Sequence, residues 1–300
     1  MKLPINIPTH VYKILLLLAA MIWGFSFVVM KDVVEVFPPA WLLGIRFVAA
    51  GVILLMCLWK RVRSQISAKL IGAGIVLGAL DFGGFFTQTV GLQTISPGVN
   101  AFLTATYCVI VPFLWWLLAR RKPTWANIGA AIIAIVGIWL VSVTDAGTHF
   151  ALGFGEGMTL LCAVFFALHM VYVSKFSRFY DVLVLTVIQF ITEGCLGLVM
   201  GASTEAFPAF DLISLSVIGQ MAFLVVFASI IAFGIQNVSL AFVPPAQASL
   251  ILCLESVFGV LFSVLLYGEV LTLRLLIGFG LIFVAILMSE GIFSRKKAKD

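Results

Sequence analysis

Three carboxylic acids and a histidine stand inside otherwise apolar stretches: Asp81 in GALDFGGFFTQTVGL, Glu193 in IQFITEGC, Glu255 in LCLESVFG and His169 in FFALHMVY. Such groups can take up a proton, hold a cationic ligand or, with a nucleophile beside a base, catalyse. Their spacing gathers further polar residues around them. Asp81, Phe85 and Gln88 recur at i, i+4 and i+7, one face of a helix. Asn100, Thr104 and Tyr107 make a second face, Thr186, Gln189 and Glu193 a third, and Ser229, Phe233 and Gln236 a fourth. Arg46 adds a cation eight residues into its own apolar run, about 12 Å along a helix. Four helices that each turn a polar-aromatic face inward would outline an amphipathic chamber.

Composition decides what kind of molecule holds these faces. The chain is 63% hydrophobic and 10% charged with a mean hydropathy of +1.20, where a globular protein carries about a quarter charged residues. A soluble surface cannot be built from it, so it is an all-α integral membrane protein. The net charge of +5 does not point to nucleic acid, because the basic residues fall in short clusters between apolar runs. The five cysteines, Cys57, Cys108, Cys162, Cys195 and Cys253, lie in apolar runs without CxxC spacing and read as small core residues. There is no Walker A motif, no HExxH and no convincing nucleophile–base pair. Three histidines in all, His10, His149 and His169, do not make a metal cluster. The reading is a non-enzyme with no cofactor and no metal.

Crossing a bilayer takes about 20 apolar residues. Ten runs qualify: 12–30, 39–59, 69–91, 97–118, 124–143, 154–174, 182–201, 213–236, 246–267 and 274–292. The first imitates a secretory signal, but no A-x-A site ends it and it is kept as a span. With the N-terminus inside, the cytoplasmic segments hold fifteen basic residues: Lys2, Lys13, Lys60, Arg61, Arg63, Lys69, Arg120, Arg121, Lys122, Lys175, Arg178, Arg295, Lys296, Lys297 and Lys299. Only Lys31 and Arg274 fall outside, where Asp32, Glu35, Asp145, Glu205 and Asp211 collect. Both termini are therefore expected in the cytoplasm, in a cytoplasmic (inner) membrane.

The chain also repeats itself. IRFVAAG (45–51) matches IQFITEG (188–194), setting Arg46 against Gln189 and Ala50 against Glu193. DFGGFFTQ (81–88) lies over SIIAFGIQ (229–236), pairing Phe85 with Phe233 and Gln88 with Gln236, and the same offset of 148 sets Tyr107 on Glu255. Five spans per half is an odd number, so the second copy inserts upside down. The expected domains are 1–148 and 149–300, two inverted five-helix repeats with a substrate site between them near the midplane.

Each polar residue also has a plainer reading. A charge at the bilayer centre costs about 2.5–3.5 kcal/mol on insertion scales, so each needs a cavity or a partner. Asp81 and Glu255 could be protonated acids bonded to backbone or hydroxyl groups. Glu193 could belong to Arg46 or to helix packing, and His169 could be a satisfied core histidine. Arg46 could snorkel to the outer surface. Asn100 and Gln247, near proline-containing breaks, could serve exposed backbone. Of the tryptophans, Trp23 is the one expected to touch the chamber, while Trp41, Trp115, Trp116 and Trp139 suit packing or the interfacial belt.

At this point the chain resembles the drug/metabolite transporter superfamily, in its ten-helix EamA-type branch. The resemblance spans nearly the whole chain. It rests on Trp23-Gly24 and Lys31, Arg46-Phe47, QTVGLQTISPGVNAFLTATYCVIVP (88–112) and GEVLTLRLLIG (268–278). Ser256 departs from the pattern, which commonly has proline after this glutamate. The resemblance implies a cavity lined by spans 1–4 and 6–9, with spans 5 and 10 peripheral, and it implies export. The reading is a secondary transporter for a small amphipathic metabolite such as an amino acid or aromatic compound, with protons as the candidate coupling ion. A nucleotide-sugar or lipid-linked cargo is the alternative within transport; an intramembrane enzyme or a non-transporting sensor is the alternative outside it. The expected partners are a small-molecule substrate and the lipid bilayer, no nucleic acid, and at most a weak dimer. The candidate residues are Trp23, Arg46, Asp81, Phe85, Gln88, Asn100, Thr104, Tyr107, His169, Gln189, Glu193, Phe233, Gln236 and Glu255.

The basic count makes a direct prediction. In a cysteine-free background, single cysteines at Ser203 and Gly147 should react with an impermeant maleimide added outside, and one at Lys122 should not. Labelling at Lys122 but not at Ser203 reverses the orientation.

Overall fold

Inside hydrocarbon every backbone N–H and C=O needs a partner within its own segment, and helices supply it. The computed structural model describes residues 8–119, 122–142, 152–239, 243 and 251–289. Among these the chain makes ten helical passages. They are α1 (Thr9–Val34), α2 (Pro39–Gln65), α3 (Ala68–Leu92), α4 (Pro97–Ala105 and Tyr107–Ala119), α5 (Trp125–Ser142), α6 (Phe154–Phe176) and α7 (Val182–Thr204). Then follow α8 (Leu215–Phe223, Leu224–Ile231 and Ala232–Ser239), α9 (Leu254–Phe262 and Ser263–Tyr267) and α10 (Leu273–Ser289). Seven are long and apolar enough to cross a membrane; those at 125–141, 254–267 and 273–289 are shorter. The apolar run of α9 begins at 246, ahead of its first described residues.

Local chemistry sets the starts. Pro39 and Pro97 open α2 and α4, where a missing N–H costs nothing. The hydroxyls of Ser67 and Ser96 and the carboxylate of Asp181 accept first-turn N–H groups of α3, α4 and α7. Several helices overrun the apolar stretches: α2 continues to Gln65, beyond the expected end at 59, because Lys60, Arg61 and Arg63 extend it past the apolar stretch.

Two passages are irregular for identifiable reasons. Span 4 is expected as one helix, but it breaks at Thr106, whose Oγ1 donates to Leu103 O at 2.6 Å. Pro112 then leaves the carbonyl of Cys108 without its helical donor, and Ser289 Oγ of α10 donates to that oxygen at 3.0 Å. In α9 the expected proline is Ser256, yet the chain still turns at Cys253. The Ser256 hydroxyl donates to Cys253 O at 2.8 Å, so the irregularity survives without proline. A left-handed Gly268 (φ 72°) ends the passage.

Glycine decides how closely helices approach. A Cβ on Gly197 of α7 would lie 2.5 Å from Gly44 N of α2, and one on Gly44 would lie 2.7 Å from Leu198 N. This is the small-residue contact by which membrane helices gain dispersion energy without a hydrophobic drive. The α2·α7 pair is tied at both ends. Glu205 accepts from the N–H groups of Ala40 at 3.0–3.1 Å and of Trp41 at 3.2 Å, a carboxylate on a helix N-terminus. At the other end Arg61 pairs with Asp181. Glu269 repeats the capping device on α4, accepting from Gly98 N at 3.1 Å and Ser96 Oγ at 2.6 Å.

The neighbour pattern maps onto itself when the halves are exchanged. α1 packs on α8 and α9, and α6 on their counterparts α3 and α4. α2 lies on α7, α5 on α10 and α4 on α9, each against its own mate. The α5·α10 pair stands at the edge, closed by Gly137, Gly278 and Ile282 and touching the rest through α4. The expected boundary at 148/149 falls outside the described residues, as do Arg120, Arg121 and Gln247.

Gly197→Leu and Gly44→Leu should each lower the melting temperature by several degrees, a cost of about 1–3 kcal/mol for overpacking. Gly72→Leu, where an added Cβ meets nothing within 4 Å, should melt like the parent. Thermal unfolding in detergent followed by size-exclusion chromatography checks this; equal melting of all three would dissolve the claim of close contact.

Candidate functional site

The acid that opens the problem is buried where α3, α6 and α7 meet. Asp81 is 1% exposed, and Gln189 Nε2 donates to its Oδ2 at 2.6 Å. The His169 ring stands on the other side, Nδ1 3.9 Å from Asp81 Oδ1 and Nε2 3.2 Å from Gln189 Oε1. The partner of Asp81 is thus a side-chain amide, not the backbone or hydroxyl group of its plainer reading. Glycines bring the backbones this near: a Cβ on Gly78 would lie 2.7 Å from Gln189 O. Glu193, one turn along α7, is fully buried, stands beside the carboxyl group of Asp81 and is within electrostatic reach of Arg46.

Arg46 does not snorkel. It is 1% exposed, with Nε donating to Ser229 Oγ at 2.8 Å and Nη1 3.4 Å from Met30 Sδ. Its guanidinium lies over the rings of Phe47 (4.6 Å) and Phe85 (5.0 Å). The reason is local: α2 carries it into the α1·α8 contact, too deep for its stem to reach the interface. No ion pair within 4.0 Å joins it to either acid among the described residues.

Two hydrogen bonds here are the same bond made twice. Arg46 and Gln189 are mates in the repeat, and so are Ser229 and Asp81. Arg46→Ser229 ties α2 to α8, and Gln189→Asp81 ties α7 to α3. The rings between them also run as a palindrome. Trp23 meets Phe233 at 5.3 Å, Phe233 meets Phe190 at 5.3 Å, Phe190 meets Phe47 at 5.3 Å, Phe47 meets Phe85 at 5.2 Å and Phe85 meets Phe166 at 5.0 Å. Trp23 and Phe166 sit 143 positions apart, as do Phe47 and Phe190, so the pseudo-two-fold axis passes between the central pair. Phe85 and Phe233 do not touch; two rings separate them.

The remaining candidates form separate groups. Gln88 Nε2 donates to Thr104 Oγ1 at 3.1 Å, and Asn100 Nδ2 reaches Gln88 O at 3.2 Å and Thr159 Oγ1 at 2.9 Å. Asn100 therefore does serve backbone. Tyr107 OH lies 3.5 Å from Glu255 Oε1, a contact between mates across the axis, and beside it Cys108 and Cys253 touch at 3.7 Å. Cys162 joins the groups, 4.0 Å from Thr104 and within electrostatic reach of Asp81 and Glu255. Trp23 Nε1 donates to Ala228 O at 2.8 Å. Gln236 is apart from Gln88 and lines a crevice of ≈ 20 Å³ with Leu77, His169, Gln189 and Phe233. The four expected faces thus converge, but aromatic side chains fill much of the space between them.

The two ends of the bundle differ. At the end where Arg61 pairs with Asp181, this crevice is lined by Val182 and Leu185 together with His169 and Gln189, the two residues that stand against Asp81. At the opposite end Lys31 is 8% exposed and Nζ donates to the carbonyls of Leu92 (2.5 Å), Gln93 (3.2 Å) and Ile95 (3.2 Å). It ties α1 across the end of α3, neutralising carbonyls that the helix terminus leaves orphaned. Sequence reading counts Lys31 as an outside charge and among the residues of the family resemblance, and misses this role. It also leaves Glu269, Phe47, Phe166 and Phe190 out of the candidate site, although Phe47, Phe190 and Glu269 stand in the motifs it quotes; aligning the rings by the repeat offset would have found the three phenylalanines.

Chemically, the arrangement offers one fixed cation, two acids beside it without ion pairing, a histidine and a facing amide, all shielded from water. Such a set can hold or pass a proton and bind a polar group. The EamA-like transporter family pattern matches residues 11–143 and 153–290. An uncharacterised transporter of Archaeoglobus fulgidus is 28% identical over 91% of this chain and 83% of its own length. An uncharacterised inner membrane transporter of Escherichia coli K12 is 27% identical over 89% and 86%. The S-adenosylmethionine/S-adenosylhomocysteine transporter of Chlamydia trachomatis is 25% identical over 85% and 81%. A protein of known crystal structure shares the fold, with a TM-score of 0.68 over 96% of this chain and 99% of its own at 17% identity. With two matched segments covering nearly its whole length, this membrane-embedded chain belongs to the EamA-like transporter family.

Proposed function

We propose that the protein is a secondary transporter, not an enzyme, which moves a small amphipathic metabolite across the cytoplasmic membrane by alternating access. The observation that carries this is the buried Asp81–Gln189–His169 group, whose amide and imidazole line a crevice, with the carboxyl group of Glu193 buried beside it. An acid with a donor on one oxygen and a histidine near the other can bind a proton in one state and a cationic group of the cargo in the next. Protons are the coupling ion in this reading. Arg46, held over two rings, is the counter-charge for a carboxylate on the cargo, and the aromatic string supplies stacking for an apolar or aromatic part. The named cargo of the Chlamydia relative, S-adenosylmethionine, is likewise an amphipathic amino-acid derivative.

The halves 1–148 and 149–300 are the moving units. The α2·α7 pair, clamped at both ends, is the column about which they rock, and the Lys31 tie is broken when the opposite end opens. The basic clusters support an orientation with the Arg61 end and both termini in the cytoplasm, and export is the favoured direction. The working unit is a monomer or weak dimer.

Asp81→Asn keeps the acceptor that Gln189 needs while removing the titration. It should fold and exchange substrate at equal pH, yet lose accumulation driven by a pH gradient. Proteoliposome uptake of a metabolite panel, with and without the gradient and alongside counterflow, measures both. Undiminished accumulation would make Asp81 a buried structural acid, and no flux of any solute would favour a sensor.

Gln236→Ala should cut transport at normal expression. Gln88→Ala should in addition lose about 0.5–1.5 kcal/mol of stability, because its amide bonds Thr104. If both transport like the parent, the faces that carry them serve packing alone.

A further inference from the structure

A groove of ≈ 420 Å³ opens at the Lys31 end, away from the acid cluster, lined by Phe25, Val28, Asp32, Gln220, Phe223 and Leu266 among others. That volume is within the range of small-molecule sites. Three observations give it a particular occupant. First, it faces the bilayer. α8 and α9 do not pack along one another among the described residues; α1 lies between them as a floor. The residues flanking it, Phe227 (45% exposed), Leu265 (66%) and Leu266 (59%), stand outward where hydrocarbon must lie. The rings of Phe223 and Phe262 flank Phe25 at 5.1 and 5.3 Å and close the floor.

Second, the α9 wall departs from α-geometry at this level. Ser263–Tyr267, which carries Leu266, is π-helical, a wider turn that concentrates at functional sites, whereas the α8 wall is the regular turn pair Leu215–Phe223 just ahead of that helix's own π segment. The wall also lacks bulk where a chain would lie, since a Cβ on Gly219 would meet nothing within 4 Å.

Third, the mouth is anionic. Asp32 stands two residues before the end of α1, about 3 Å below it and so at headgroup depth. Gln220 Nε2 holds its Oδ2 at 2.9 Å. Glu35 and the Tyr267 phenol are within electrostatic reach of Asp32. The neighbouring cation, Lys31, donates to three backbone carbonyls on the α3 side and lies within electrostatic reach of Glu35 and 6.0 Å from the Tyr267 ring centroid, so Asp32 is the carboxylate that faces a ligand in the groove.

We infer that the α1–α8–α9 groove is a binding site for a membrane phospholipid whose headgroup carries an ammonium, with one acyl chain along Phe25, Val28 and Phe223 and the ammonium at Asp32. An anionic headgroup would meet the Asp32 carboxylate at the rim and be disfavoured. This site is independent of the transport reading.

The test uses the full-length protein, reconstituted in vesicles of equal phosphatidylethanolamine and phosphatidylglycerol, re-extracted in mild detergent and examined by native mass spectrometry. The parent should retain phosphatidylethanolamine in preference, by about fivefold, the ratio expected of one partly exposed ion pair. Asp32→Asn should retain lipid without the preference. Gly219→Trp, whose Cβ would meet nothing within 4 Å and whose indole would occupy the groove, should retain none at this site, and Leu266→Trp serves if that variant does not fold. Equal retention of the two lipids by the parent, or unchanged phosphatidylethanolamine on the filled variant, overturns the assignment. So does a parent that keeps no lipid but is stabilised by dodecyltrimethylammonium, which would make the occupant a soluble cationic amphiphile.

Discussion

Hydrocarbon offers no hydrogen bond, and every polar atom carried into it must find its partner inside the protein. The interior of this molecule is organised by that constraint. Its buried polar side chains meet across helix boundaries: Gln189 with Asp81, Arg46 with Ser229, Gln88 with Thr104, Lys31 with the end of α3. Each such bond fixes which faces of two helices meet. Glycine then lets the backbones come close enough for the bonds to form, at Gly44 and Gly197 and again at Gly78 beside Gln189.

The repeat gives this scheme its economy and its asymmetry. One interhelical bond is made twice, and one string of rings is read the same from either end. The chemistry of the two copies has nonetheless diverged. One copy of the bond joins a permanent cation to a hydroxyl; the other joins a neutral amide to a carboxylic acid. Ala50 likewise stands where its mate is Glu193. The shared pattern of helix neighbours persists, and unequal side chains gather Asp81, His169 and Glu193 around one copy of the bond.

Rigidity is distributed unevenly. The α2·α7 pair has glycine contact along its length and a charged tie at each end, so little freedom is left in it. The passages α4, α8 and α9 carry the breaks, at Thr106, in the π segments and at Cys253. Broken helices of this kind are where local opening costs least, because their backbone bonds are already shared with side chains.

Much of this was legible in the sequence. Hydropathy fixed a ten-span membrane protein, since no other solvent suits a chain with 10% charged residues. The i, i+4, i+7 spacing picked out the faces that turn inward, because helical geometry is local. Matching Arg46 with Gln189 foretold which positions correspond. Who bonds whom was not legible. That Asp81 takes an amide from α7, that Arg46 lies on rings and not at the surface, and that Phe85 and Phe233 are kept apart all depend on helix crossing and depth. Those are set by glycine contacts between residues more than a hundred positions apart, such as Gly44 with Gly197. A single helix's periodicity carries the direction in which a side chain points; only the packed bundle decides what it meets there.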